Sequence, residues 1–96
     1  MAIAFLERFD IDDAFYGKTI SVFVRDGAAA IPAQHKKRVA VIYELSKLFE
    51  PGRSYPESEV NRIIRAYNDD YCLIRREMVS LGLMMRQNGI YTRSLD

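Results

Sequence analysis

The hydrophobic positions fall into helical stripes separated by polar breaks, followed near the end by one alternating segment. Within residues 54–93, Val60, Ile63, Ile64 and Tyr67 stand at i, i+3, i+4 and i+7, the spacing of one buried helix face. The polar run Asn68, Asp69, Asp70 interrupts this stripe, and Tyr71, Ile74, Met78 and Leu81 begin a second one that Gly82 closes. Asn88-Gly89 then sits between Met85-Arg86-Gln87 and Ile90-Tyr91-Thr92, a strong two-residue hairpin signal because both central residues tolerate positive φ. Helix, turn, helix and hairpin, in that order, predict a winged helix-turn-helix, a unit that usually contacts nucleic acid.

Upstream, Ala2, Phe5, Leu6 and Phe9 repeat the helical spacing, and the cluster Asp10, Asp12, Asp13 ends that helix and can cap the next. Residues 14–24 carry both periods. Ile11, Phe15, Thr19, Val22 and Phe23 suit a helix, whereas Ile20, Val22 and Val24 alternate like a strand; helix is preferred, although Gly17 weakens it by roughly 1 kcal/mol relative to Ala. Asp26-Gly27 marks a turn and Pro32 a break. Residues 33–50 form the strongest helical pattern, with Val39, Ile42, Leu45 and Phe49 in one stripe that Val41, Tyr43 and Leu48 widen, so this helix should centre the core. Pro51-Gly52 stops it, and Arg53-Ser54-Tyr55 is expected as a short strand against the later hairpin. Pro56 suits the first turn of the next helix, and Ser54 with Glu57 has capping-box spacing. Asp69 or Asp70 is expected to cap the helix after it. The expected fold is α+β, mostly helical: residues 1–32 form an extra N-terminal helical arm packing on the core, and residues 33–96 a winged-helix domain with a short β-hairpin wing, one structural unit overall.

Composition changes this picture little. Ninety-six residues, 49% hydrophobic and 28% charged, suit one ordinary globular domain. The start has charges within its first eight residues and no apolar stretch of signal-peptide length, and no run is long enough to span a bilayer. A single cysteine, Cys72, excludes an intrachain disulfide and fits the reducing cytoplasm. The net charge of +1 hides an asymmetry, because residues 1–32 hold three basic and five acidic side chains while residues 33–93 hold eleven and seven. The basic excess therefore lies with the winged-helix pattern, with the sign that phosphate contact requires, though its size is small for a dedicated nucleic-acid binder.

Candidate contacts follow from this charge. In a helix-turn-helix the second helix enters the major groove, and Arg75 and Arg76 on it can bond guanine or phosphate bidentately. Asp69 and Asp70 precede them at the end that would approach DNA, where they repel phosphates. Arg86 and Arg93 lie on the wing strands, while Lys36, Lys37, Arg62 and Arg65 are backbone contacts or simple solubilising charges. His35-Lys36-Lys37-Arg38 also opposes the helix dipole at its N-terminus, by a few tenths to about 1 kcal/mol each, which an anionic partner or good solvation would offset. No catalytic constellation is legible. One His and one Cys cannot build a structural zinc site, His35 and Cys72 fall on separate predicted helices, and Asp10, Asp12 and Asp13 lack the glycine and final glutamate of a calcium loop. No enzyme, metal or cofactor is expected.

Several ordered motifs resemble a family. They are residues 31–38 (IPAQHKKR), residues 49–55 (FEPGRSY), Glu59-Val60-Asn61, and residues 69–77 (DDYCLIRRE). Over residues 23–93 the chain is similar to a small bacterial winged-helix-like domain of unknown function, found alone or attached to transcription regulators. The resemblance implies a regulatory role by association. Pro56 departs from it where members tend to carry a capping Ser or Thr, and the first two dozen residues form an arm the family does not describe. Two readings remain: a transcription regulator that binds double-stranded DNA, or a winged-helix module for protein association. The second, as a homodimer or as the partner of a regulator protein, would make Phe5, Leu6 and Phe9 interface anchors and Arg75 and Arg76 structural partners of carboxylates such as Glu59 or Glu77.

Overall fold

The computed structural model of the chain describes residues 2–94. Leu95 and Asp96 of the expected C-terminal tail, and the side chain of Ala2, lie outside what is described. The order is α1 (Ala2–Arg8), α2 (Asp13–Phe23), β1 (Val24–Arg25), β2 (Ala28–Ala29), α3 (His35–Ser46), β3 (Ser54–Pro56), α4 (Glu57–Arg65), α5 (Tyr71–Ser80), β4 (Met84–Gln87) and β5 (Ile90–Arg93). The fold is α+β, about half helical, with a three-stranded antiparallel sheet in the order β3-β5-β4 and a separate two-stranded hairpin, β1-β2. Among the described residues, no helix is long and apolar enough to cross a membrane.

α3 is the axis of the core. Its residues Val39 to Tyr43, with Leu45 and Ser46, are all buried, because α2 covers one side and α5 another. A helix packed on several sides needs apolar residues nearly all round rather than in one stripe, which is how Val41 and Tyr43 came to widen its pattern. Gln34 caps α3 by accepting from the Lys37 amide at 3.2 Å.

In residues 14–24 each reading holds for part of the segment. α2 runs to Phe23, capped by the Asp12 carboxylate on the Phe15 amide at 2.8 Å. Val24 then leaves the helix to pair with Ala29, through a turn whose central residues Asp26 and Gly27 have φ of 54° and 76°. Gly17 is tolerated at an exposed position, and the space beside it is open.

Two expected helix caps are not made. Pro56 is the N-cap residue of α4 without a side-chain bond, and Glu57 turns instead to a strand and a helix distant in sequence. Asp70 occupies the N-cap position of α5 without capping it. The turn is held by Asn68, whose Oδ1 accepts from the Asp70 amide at 2.7 Å and whose Nδ2 donates to the Ala29 carbonyl at 2.7 Å. A long-range partner thus competes with the local one, and the α4–α5 turn is fastened to β2.

The N-terminal segment contributes side chains to the core. Phe5 is fully buried, its ring stacked 5.3 Å from Tyr43, and Leu6 and Ile11 are buried with it, while Phe9 packs half-buried alongside. Phe5 and Leu6, expected as interface anchors, are covered by this chain's own residues and offer no free surface to a partner.

Candidate nucleic-acid interface

α5 turns Ile74 and Met78 into the core, which leaves Cys72, Arg75, Arg76, Val79 and Ser80 on its outer side. The β4–β5 hairpin stands beside that side. Its turn residues Asn88 and Gly89 have φ of 53° and 76°, and the two-residue turn pairs Arg86 with Tyr91. Alternation buries Met84 and Tyr91 while Met85 and Ile90 on the opposite face are 67% and 40% exposed.

A cleft of about 330 Å³ lies between α5 and the hairpin, lined by Arg75, Arg76, Val79 and Ser80 from the helix, Arg86 and Tyr91 from the hairpin, and Glu57 from the start of α4. Three guanidiniums face one carboxylate, leaving two positive charges.

The two adjacent arginines of α5 have different fates. The Arg75 side chain is only 14% exposed: its Nη1 donates to Asn61 Oδ1, and its Nε lies 4.0 Å from Glu57 Oε1 without a hydrogen-bond partner. Arg76 is exposed and has no carboxylate, aromatic ring or hydrogen-bond acceptor in contact among the described residues. A step of about 100° along a helix separates them, enough to send one side chain toward α4 and the other toward solvent. Arg86 is likewise exposed, with no carboxylate or hydrogen-bond acceptor in contact among the described residues, although its charge, like that of Arg75, reaches the Tyr91 hydroxyl.

Glu57 is the junction of the site. Its backbone amide donates to the Gly89 carbonyl at the hairpin turn (3.1 Å), its carboxylate accepts from the Tyr91 hydroxyl at 2.9 Å, and Arg75 approaches from α5. Burial, and then the bond to the Glu57 carboxylate, push the Tyr91 hydroxyl above its ordinary range, while the Arg75 charge opposes that rise.

The remaining candidates do not converge here. Lys36 Nζ lies 3.9 Å from Asp10 Oδ2 and 4.5 Å from the Phe15 ring centre. Lys37 borders a separate apolar hollow with Phe15, Val22 and Phe23. Arg62 lies 3.8 Å from Glu59, Arg65 sits over Tyr71, and Arg93 donates to the Phe49 carbonyl at 3.0 Å. Structural pairing does occur, but between other partners than expected: Glu59 takes Arg53 and Arg62, Glu77 takes Arg38, and Arg75 takes Glu57 and Asn61. Sequence reasoning missed Glu57 and Tyr91. Glu57 had been assigned to a cap, and only the register of the two-residue turn, which sets Tyr91 opposite Arg86, points to the tyrosine.

No group of three or more His, Cys, Asp or Glu able to hold a metal occurs among the described residues. The arrangement is suited to holding an anion. No curated protein matches the chain, and no solved structure does. Residues 29–93, from β2 to the end of β5, match the family described as an uncharacterized protein conserved in bacteria, DUF2087. With about two thirds of its length in that match, the chain belongs to the DUF2087 family.

Proposed function

We propose that residues 33–96 form a winged helix that binds double-stranded DNA as a bacterial transcription regulator or as part of one. The element order from α3 to β5 and the strand order β3-β5-β4 support a winged helix, with α4 and α5 as the helix-turn-helix and β4–β5 as the wing. The observation that carries the binding reading is the convergence of Arg76 and Arg86 on one cleft, two exposed cations from helix and wing with no carboxylate partner among the described residues. On this reading Arg76 contacts a base edge or phosphate and Arg86 the backbone, whereas Arg75 serves to fix the wing beside the helix. The chain is then a binder rather than an enzyme, uses no cofactor, and works in the cytoplasm where its target lies.

Fluorescence anisotropy with pooled genomic duplexes tests this. Affinity should fall steeply with salt, and Arg76→Ala should cost about 1–3 kcal/mol of binding and lower the salt slope by about 1. No binding to any fragment at low salt would sink the reading.

A second reading, a module for protein association, rests on a different observation: Asp69 and Asp70 are exposed at the leading end of α5, and Met85 and Ile90 on the outer face of the wing. Sedimentation of the chain against a Met85→Lys variant would separate the two. A dimer lost on substitution supports association of copies through the wing.

A further inference from the structure

We infer that the cleft between α5 and the β4–β5 hairpin is a binding site for a phosphoryl group. The inference deepens the DNA reading if the group belongs to a duplex backbone, and stands apart from it if the group belongs to a small phosphorylated ligand.

Three observations meet in this cleft. Arg76 and Arg86 reach it from different elements, and neither has a hydrogen bond or a carboxylate partner among the described residues. Two cations fixed on separate supports can take separate oxygens of one tetrahedral anion, as bidentate contacts to phosphate require. Behind them Arg75 is a third cation that cannot swing away, because Asn61 and Glu57 hold it. Glu57 offsets one charge of the three, and its Oε1 is already occupied by the Tyr91 hydroxyl. The two positive charges left match a phosphate monoester near neutral pH, which carries between one and a half and two negative charges, or two successive diesters of a backbone. Ser80 adds an exposed hydroxyl free to donate.

Two other concavities differ. One of about 310 Å³ is bordered by Glu7, Asp10, Asp12 and Asp13 and repels anions. The hollow beside Lys37 also carries Lys18, but its walls are mainly apolar and it holds no guanidinium to bond a phosphoryl group bidentately.

The test is a titration of the full ¹⁵N-labelled chain, followed by NMR at constant ionic strength. One arm uses inorganic pyrophosphate, the other a short random-sequence duplex. With pyrophosphate, signals of Arg75, Arg76, Ser80 and Arg86 should shift together and saturate. Arg76→Gln and Arg86→Gln should each weaken binding about tenfold. Arg25→Gln, which removes an exposed charge outside the cleft, should leave it unchanged. Glu57→Gln should tighten binding several-fold by unmasking the third cation, a gain that a merely structural cluster does not predict.

Saturable pyrophosphate binding with no duplex binding keeps the cleft, removes the DNA reading and makes a small phosphorylated ligand the source. Duplex binding that pyrophosphate competes away, and that both arginine variants weaken, makes the backbone the source. Duplex binding that Arg25→Gln weakens as much as Arg76→Gln keeps the DNA reading and overturns the cleft. Pyrophosphate shifts that never saturate overturn it as well.

Discussion

The molecule contains the same cluster twice, a tyrosine hydroxyl on a glutamate with a cation beside it. In the first, Tyr16 on α2 donates to Glu44 on α3, and Lys47 Nζ lies 3.2 Å from the same carboxylate oxygen and over the rings of Tyr16 and Tyr43. In the second, Tyr91 donates to Glu57 and Arg75 stands 4.0 Å away. Both tyrosine hydroxyls are pushed up by burial first and by the carboxylate next. The surroundings make the difference. Around Glu44 one ammonium meets one carboxylate, and the cluster is a seam between two helices. Around Glu57 two further guanidiniums, Arg76 and Arg86, have no carboxylate partner among the described residues. Identical local chemistry closes a joint where its charges cancel, and borders a candidate site where they do not.

The comparison breaks first if the Tyr16 side is not truly part of the core. Phe5 lies under it, fully buried between Tyr43 and Phe9. Phe5→Ala should cost about 3–5 kcal/mol in urea unfolding, through lost burial and the cavity left behind. A loss below about 1 kcal/mol would mean that residues 33–96 fold without the N-terminal helices. Next in size are the two glutamates. Glu57→Ala strands a buried guanidinium and a buried phenol, so about 1–3 kcal/mol should be lost. Glu44→Ala should cost less, near 1 kcal/mol, because the half-exposed Lys47 turns to solvent. Equal losses would show that the cluster at the cleft is no better buried than the seam.

The contrast between the clusters was only partly legible in the sequence. Local chemistry announced the body of α3 and the Asn88-Gly89 turn, because glycine and 3.6-residue spacing act within a few residues of themselves; the expected stop at Pro51-Gly52 is not where α3 ends, since the helix closes at Ser46 with Lys47 as its C-cap. What failed depended on distant partners. Ser54 and Glu57 have capping-box spacing, yet the Glu57 carboxylate meets Tyr91, 34 positions away, and Arg75. Asp70 looked like a cap, yet Asn68, anchored on Ala29, holds that turn. Phe5, Leu6 and Phe9 read correctly as an apolar helix face, but such a face looks the same whether it covers its own core or a partner's. Arg75 and Arg76 were indistinguishable as neighbours until α4 brought Asn61 to one of them.

Alkaline titration sharpens the comparison further. Tyrosines in the unfolded chain lose their protons near pH 10, whereas Tyr16 and Tyr91 in the fold retain theirs to higher pH. Between those limits the folded state binds more protons, so stability is fully present below about pH 10 and falls as pH rises above it. Tyr16→Phe and Tyr91→Phe should each flatten that decline, and only above the folded-state titration of Tyr91, which Arg75 and Arg86 oppose, should Tyr16 contribute more. Urea midpoints at pH 8 and at about pH 10.5 measure it, and a decline that either substitution leaves unchanged would contradict the raised titration of that tyrosine.

The smallest effect is the most telling for the cleft. If Arg76 and Arg86 take no part in holding the fold, Arg76→Ala and Arg86→Ala should each change unfolding stability by no more than about 0.5 kcal/mol. The double variant should not lose more than the sum, and relief of repulsion among three like charges favours a small gain. Charge removal at Arg75 should behave oppositely, because Arg75→Ala leaves Asn61 and Glu57 without their cation and exposes the hairpin's hold on α4. Two adjacent residues on one helix would then separate cleanly in a single denaturation series. If Arg76→Ala proves as destabilising as Arg75→Ala, its guanidinium serves the fold, and the unopposed charge that distinguishes the second cluster from the first disappears.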